Sequence, residues 1–465
     1  MRWLGRSAAA FSAVLILASG VSAHALLVRS DPAAGAVLQR SPDTITLSFT
    51  EAPDPSLSIV HVLDSTGKAV DPHGARPVPD QPQVLAVALN PLPGGVYTVS
   101  WRTVSAVDGH VAGGAFAFGV GVTPQAAAPA QPSTPLPSPL YVASRWALYL
   151  GLGGILGAAW VWTIAFPAPP SRWWFLGAAW GLSAVGVVVL GAAQAADVGV
   201  GVGRLLATNL GQALYWRALP IAVAGAAIAA GAARGAPRRP LLVVAGAAAA
   251  VAMLAHVLAG HAAANPGPWQ PANIALQWVH FAAVGAWIGG LAALLIALPA
   301  AGREDGALAT RRFSAAAACL LGIVAATGVL RAVDEVGSVG ALLSTGFGRL
   351  VDLKALLLLV LASLGAVNRS RNVPQGPQGR SGLLRIGATE VALGVIVFGI
   401  AGYLTGLPPP HYNPALASAP PAAVVATGHD FATSVRMRLE VSPGAVGVNR
   451  FTASVSDYDT GRPVD

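Results

Sequence analysis

Eight apolar runs between residues 141 and 406 constrain this 465-residue chain more than any other feature. They lie near 141–166, 174–195, 215–233, 240–261, 273–298, 312–332, 350–368 and 385–406. A helix needs about 20 apolar residues to cross a bilayer, and each run is close to that length. A helix also satisfies its own backbone hydrogen bonds where there is no water. This part of the chain is therefore expected to form an all-α polytopic bundle of about eight helices in a lipid bilayer. Charged residues are only 10% of the chain, against roughly 25% in soluble domains. One water-soluble body of this length is thereby excluded.

The loops set the orientation. Arg172, then Arg234, Arg238 and Arg239, then Arg303, Arg311 and Arg312, then Arg369, Arg371, Arg380 and Arg385 fall in alternate loops. They outnumber Arg204, Arg217, Arg331 and Arg349 in the other loops. Short loops rich in Arg stay cytoplasmic, so the first set is expected inside. These arginines account for much of the +8 net charge, and no nucleic-acid partner is expected. Arg331, Asp334 and Glu335 are expected in a solvated loop after the sixth run.

Residues 1–23 read as a signal peptide. Arg2 and Arg6 precede an apolar stretch from Ala8 to Ala18, and Val21-Ser22-Ala23 supplies a small-residue cleavage site. The alternative is an uncleaved first helix, for which the apolar core is short. Cleavage would leave His24 at the mature N-terminus. The N- and C-terminal parts would then lie on the periplasmic or extracellular side of the plasma membrane.

Residues 24–120 have a period of two: Ile45, Leu47 and Phe49, then Tyr97, Val99 and Trp101, then Phe116, Phe118 and Val120. That is the pattern of strands with one buried face, and the expected fold is an all-β sandwich or small barrel. Residues 121–140 read as a Pro/Ala-rich linker and 407–424 as a second one. Residues 425–465 read as a β segment whose domain is incomplete, with strands around Val435–Val441 and Phe451–Val455.

Metal-binding residue types converge on the exported part. A mature N-terminal His24 would offer its α-amine and its imidazole Nδ1 as one chelate. His110 adds a second imidazole, and Asp108, two positions earlier, would point to the same side of an extended backbone. Amine, imidazole and carboxylate donors in a tetragonal set suit Cu(II). Asp-Gly-His by itself is a turn sequence; the pairing with His24 in one exported domain favours the metal. The chain has one cysteine, Cys319, and three methionines, so no thiolate cluster or Met-rich site is expected.

Several segments carry a resemblance. His24-Ala25, Leu47-Ser48-Phe49-Thr50-Glu51, Val104 through His110 and Gly113 through Phe118 resemble the CopC family of periplasmic copper-binding proteins. The resemblance implies a Greek-key sandwich that holds Cu(II) through His24, Asp108 and His110. It also places Glu51 at a nearby acidic position. His61 and His73 are read as surface histidines.

In the bundle, Met253, His256 and His261 lie near the outer end of the fourth run, and His280 lies in the outer half of the fifth. Intramembrane ionisable residues are costly and mark function. His256, His261 and His280 are candidate copper-transfer residues; interhelical hydrogen bonding and haem ligation are the other uses of such histidines. Gly260-His261, His280 through Gly290, Arg312-Phe313-Ser314, Thr327-Gly328, Gly346 through Arg349 with Lys354, and Glu390 resemble the CopD family of copper-resistance membrane proteins. CopC joined to CopD resembles the YcnJ-type copper-uptake proteins, with a partial YtkA-like segment at 425–465.

The expectation is a copper-handling membrane protein without enzymatic activity. The exported domain takes Cu(II), and the bundle conducts copper inward, with Cu(I) as the membrane form. A periplasmic copper chaperone or a reductase is the candidate partner. A resistance or sensing module without transport, and a histidine-brace oxidative enzyme, are the alternatives. No Gly-x-x-x-x-Gly-Lys loop for ATP is present.

Overall fold

A computed structural model describes residues 25–124, 130–133, 135–234, 239–264, 268–410, 424–429, 435–442, 450–457, 460 and 462–464. His24 and the expected signal peptide at 1–23 lie outside the described residues. The chain divides into a β unit and a helical unit.

The N-terminal part of the β unit holds two sheets. One has the order β1 (Leu27–Asp31), β3 (Thr44–Phe49), β6 (Gln81–Ala88) and β5 (Ala75–Val78). The other has the order β2 (Val37–Leu38), β8 (Val111–Val120), β7 (Gly95–Val104) and β4 (Ile59–Leu63). Strand β9 (Ala130–Ser133), inside the segment expected as a linker, pairs with β8. The chain changes sheet at each step from β1 to β5 and again between β6 and β7, the crossovers of a Greek-key sandwich.

Alternation explains the strands. Ile45, Leu47 and Phe49 on β3 turn inward, with Val99 and Trp101 on β7 and Phe116 and Phe118 on β8, into one core. Phe49 meets Trp101 edge-on with ring centroids 5.6 Å apart. Gly114 lies under Trp101, where a Cβ would come within 2.9 Å of the indole ring. A separate antiparallel sheet follows near the C-terminus: β10 (Val424–His429), β11 (Val435–Ser442) and β12 (Arg450–Asp457). Its first strand adds to the two that alternation showed.

Among the described residues, the helical unit has eight helices long and apolar enough to cross a membrane. They are α1 (Pro139–Ala165), α2 (Trp173–Val198), α3 (Asn209–Ala233), α4 (Arg239–Val257), α5 (Gln270–Ala300), α6 (Arg303–Val336), α7 (Gly346–Asn372) and α8 (Arg380–Leu404).

Three differences from expectation have local causes. Helix α4 stops at Val257, and after a turn through Gly260 a separate short helix runs from His261 to Ala264. Helix α3 starts at Asn209, so Arg217 lies inside it and not in a loop. Arg217 is buried, and its Nη2 donates to the Ala259 carbonyl at 3.1 Å, just beyond the end of α4. A cation there answers the carbonyl-rich helix terminus. Helix α6 carries on to Val336, so Arg331 is a buried helical residue and not a solvated one. Asp334 at 3.0 Å and Glu335, one turn further on, pair with its guanidinium.

Helices α1 and α5 cross through glycine. Gly153 and Gly157 face Gly285, Gly289 and Gly290, and a Cβ at Gly157 would overlap the backbone of Gly289 and Gly290. Residues 285–289 form a π turn within α5. Small residues four apart allow backbones to pack closely where the hydrophobic effect between helices is absent. Trp160 Nε1 donates to Ala286 O at 2.8 Å and Trp162 Nε1 to Ala293 O at 3.1 Å, locking the same crossing. Gly157→Leu is expected to break this contact. The purified variant should melt at a clearly lower temperature in detergent than Ile164→Val, a change at an exposed position of α1, when both are followed by intrinsic fluorescence.

Candidate metal centre

The site forms where β7 ends and β8 begins. Six residues, Ser105 to His110, connect them, closed by Ser105 N–H to His110 O at 2.9 Å and Gly109 N–H to Ser105 O at 3.1 Å. Gly109 has φ of +77°, a left-handed conformation that glycine adopts without strain. Asp108 Oδ1 accepts from the His110 backbone N–H at 3.1 Å. The Asp108 Oδ2 then stands 2.9 Å from His110 Nδ1. The two side chains therefore meet because the chain turns tightly between them; the sequence argument from extended backbone reached the pair by the wrong geometry.

Both groups are withdrawn from water: Asp108 is 2% exposed, and the His110 side chain is 9% exposed. Ser105 Oγ pins the turn from inside. It donates to Glu51 Oε2 at 2.7 Å and accepts from Asp108 N–H at 3.4 Å. Glu51 is fully buried, and its Oε1 has no hydrogen-bond partner among the described residues. Burial pushes the Glu51 carboxyl well above the usual carboxylate range, and the charge of Asp108 pushes it further.

The first described residues are held at the same end of the sandwich. The Ala25 carbonyl accepts from Thr103 Oγ1 at 2.8 Å, near the end of β7. Leu26 N–H donates to Thr50 Oγ1 at 3.0 Å, and Thr50 N–H donates back to Leu26 O at 2.9 Å. Thr50 is the neighbour of Glu51, and Thr103 stands two residues before Ser105. The other histidines of the domain lie apart: His61 is exposed and pairs with Asp71 at 3.1 Å, and His73 is exposed.

The bundle histidines are held individually. His256 is buried, with Nε2 2.9 Å from the Tyr149 hydroxyl and Nδ1 without a hydrogen-bond partner among the described residues. His280 Nδ1 lies 2.8 Å from Thr327 Oγ1. The ligand nitrogens of His256, His261 and His280 do not converge as one group within 4.8 Å. Fixed cations act on two of them: Arg217 and Arg145 on His256, Lys354 and Arg331 on His280.

Comparison with known proteins fixes the family. The CopC domain model matches residues 27–121. The model for Copper resistance protein D matches residues 307–404. The chain belongs to the CopC–CopD family. The Copper transport protein CutJ of Bacillus subtilis (strain 168) is 26% identical over 478 residues, covering 95% of this chain and 83% of CutJ. Protein YobA of Escherichia coli (strain K12) is 34% identical over 116 residues, 25% of this chain and 93% of YobA. The crystal structure of CopC from Methylosinus trichosporium OB3b is 36% identical over 21% of this chain and 93% of its own length, with a TM-score of 0.20.

The match to CopD covers most of α6 and all of α7 and α8. The resemblance at His261 and at His280 through Gly290 lies before that matched segment. The CopC domain contains Asp108, His110, Glu51 and Ser105. Thr103 and Tyr149 escaped the sequence reading, and Ser105 and Thr327 entered it only as parts of resembling segments, because their partners are distant in the chain and no spacing announces them.

Two outcomes follow. Ser105→Ala removes the group that pins the turn, and should weaken cupric binding by roughly 10–100-fold, as loss of a bracing group does, measured by competition titration with a calibrated chelator. Glu51 has a raised pKa in the fold, so the folded protein holds a proton that the unfolded chain releases. Its contribution to stability is present at low pH and lost as pH rises above the ordinary value of 4.5. Copper-free Glu51→Gln should therefore gain stability over the parent as pH is raised from about 4.5, as read from the midpoint of thermal unfolding of the β unit.

Proposed function

We propose that this chain binds Cu(II) outside the plasma membrane and takes copper up through its helical unit. The observation that carries the reading is the buried Asp108–His110 pair, 2.9 Å apart beside Glu51. A carboxylate and an imidazole turned toward each other in a buried turn are donors for a divalent transition metal, and such a set suits Cu(II). Signal-peptide cleavage after Ala23 supplies the rest of the set. His24 is one peptide bond from Ala25, whose carbonyl Thr103 holds near this end of the sandwich. His24, Asp108 and His110 are the proposed ligands. Similarity to the copper transport protein CutJ along nearly the whole chain supports movement of copper across the membrane.

In the bundle, His256, His261 and His280 are the proposed transfer residues, used one after another since they form no common centre. Arg145, Arg217, Arg331 and Lys354 act on two of these histidines. At a given distance they repel a cuprous ion half as strongly as a cupric one. Copper passing them is therefore proposed to travel as Cu(I), which requires a reductant before entry. The arginine-bearing loops, Arg172, Arg303 and Arg369 among them, face the cytoplasm in this reading, and the β unit faces outward.

The separation of the three histidines also favours a second reading, a resistance module that binds copper without passing it on. Cellular copper accumulation separates the two. Cells expressing the chain should accumulate several-fold more copper than cells carrying an empty vector. His280→Ala and the double change Asp108→Asn with His110→Ala should each return accumulation toward the control. Unchanged accumulation in His280→Ala would end the proposed route, and N-terminal sequencing that starts at any residue other than His24 would end the proposed ligand set.

A further inference from the structure

A cavity of about 180 Å³ lies between α5, α6, α7 and α8, away from the histidines. Trp287, Thr310, Ser314, Asn368, Arg369 and Glu390 line it. Glu390 is 3% exposed and sits ten residues into α8. That places it about 15 Å along the helix from Arg380, well inside the bundle. A carboxyl group at such depth is costly and normally paired with a cation. Among the described residues, no basic side chain comes within the 4.0 Å of an ion pair with it.

Its one hydrogen-bond partner among the described residues is an amide with a fixed direction. Asn372 Nδ2 donates to Asn368 Oδ1 at 2.6 Å, so Asn368 presents its own Nδ2 to Glu390 Oε1, also at 2.6 Å. Oε1 therefore accepts whether the carboxyl is neutral or charged. Oε2 is the oxygen left to carry a proton, and it stands beside Gly365, which has no side chain to cover it.

The two hydroxyls of the cavity are engaged. Thr310 Oγ1 donates to Gly306 O at 2.8 Å, and Arg369 Nη1 donates to Ser314 O at 2.7 Å and to its Oγ at 3.3 Å. Among the described residues, Arg369 is the only titratable group lining the cavity besides Glu390, with none from α5 or α6. Oxygen donors suit hard cations and not Cu(I). With both hydroxyls taken up, too few oxygens remain to enclose a metal ion, whereas a proton needs one.

We propose that Glu390 is a proton-exchange site opening on this cavity, and that copper passage through the bundle is coupled to proton movement at it. The step is simple in atoms: a proton from water adds to the Oε2 of the carboxylate and later returns to water, and no electrons move. The coupling rests on the uptake reading above; the exchange site does not.

Two measurements test it on the full-length protein. In liposomes containing a pH-sensitive dye and a cuprous probe, the parent should move protons whenever reduced copper enters. Glu390→Gln should lose the proton signal and slow copper entry at least tenfold, with Glu390→Asp restoring part of both. Copper entry and proton signal that persist unchanged in Glu390→Gln overturn the proposal. Infrared pH-difference spectra of the detergent-purified protein, recorded without copper, should contain a buried carboxylic C=O band that Glu390→Gln abolishes and Glu390→Asp shifts. If the parent moves no copper, the uptake reading fails and the infrared arm decides the exchange site: loss of the band supports it, and identical spectra overturn it.

Discussion

Polar groups withdrawn from water must find partners, and that requirement organises both halves of this protein. In the bundle it accounts for several polar contacts. Arg217 reaches the Ala259 carbonyl, Arg331 takes Asp334 and Glu335, His256 takes Tyr149, His280 takes Thr327, and Glu390 takes Asn368. Each unmet group at membrane depth would cost several kcal/mol. In the β unit the same rule acts at one end of the sandwich, where Thr103 holds the Ala25 carbonyl and Ser105 holds Glu51.

The two halves differ in how they satisfy it. The sandwich places its acidic and imidazole groups against one another, leaving Glu51, Asp108 and His110 as a cluster of negative or neutral donors. In the bundle, Arg217 and Arg145 act on His256, and Lys354 and Arg331 on His280. The β unit is thus electrostatically suited to hold a metal cation.

Much of the architecture is legible in the sequence because it is periodic. Alternation at Ile45, Leu47 and Phe49 corresponds to β3, and the eight apolar runs correspond to eight helices. Ends are less legible, since they depend on single residues and on tertiary contact. Gly260 parts His261 from α4, and the pairing of Arg331 with two carboxylates lets α6 run past a residue that composition alone assigns to solvent. Local geometry misled at Asp108 and His110, where a left-handed glycine does what extended backbone was expected to do. Partners such as Tyr149, 107 residues from His256, leave no local signal at all. Asn368 is legible only once α7 and α8 are seen side by side.

The bond from Arg217 to Ala259 ties α3 to the turn that follows α4 and precedes His261. Sliding α3 along its axis by a single residue, about 1.5 Å, would strain that bond, and a longer slip would strip both ends of their partner where no water can step in. These two pieces must therefore travel together, as a crank and its rod do. Any rearrangement that opens a path beside His261 has to carry the third helix with it.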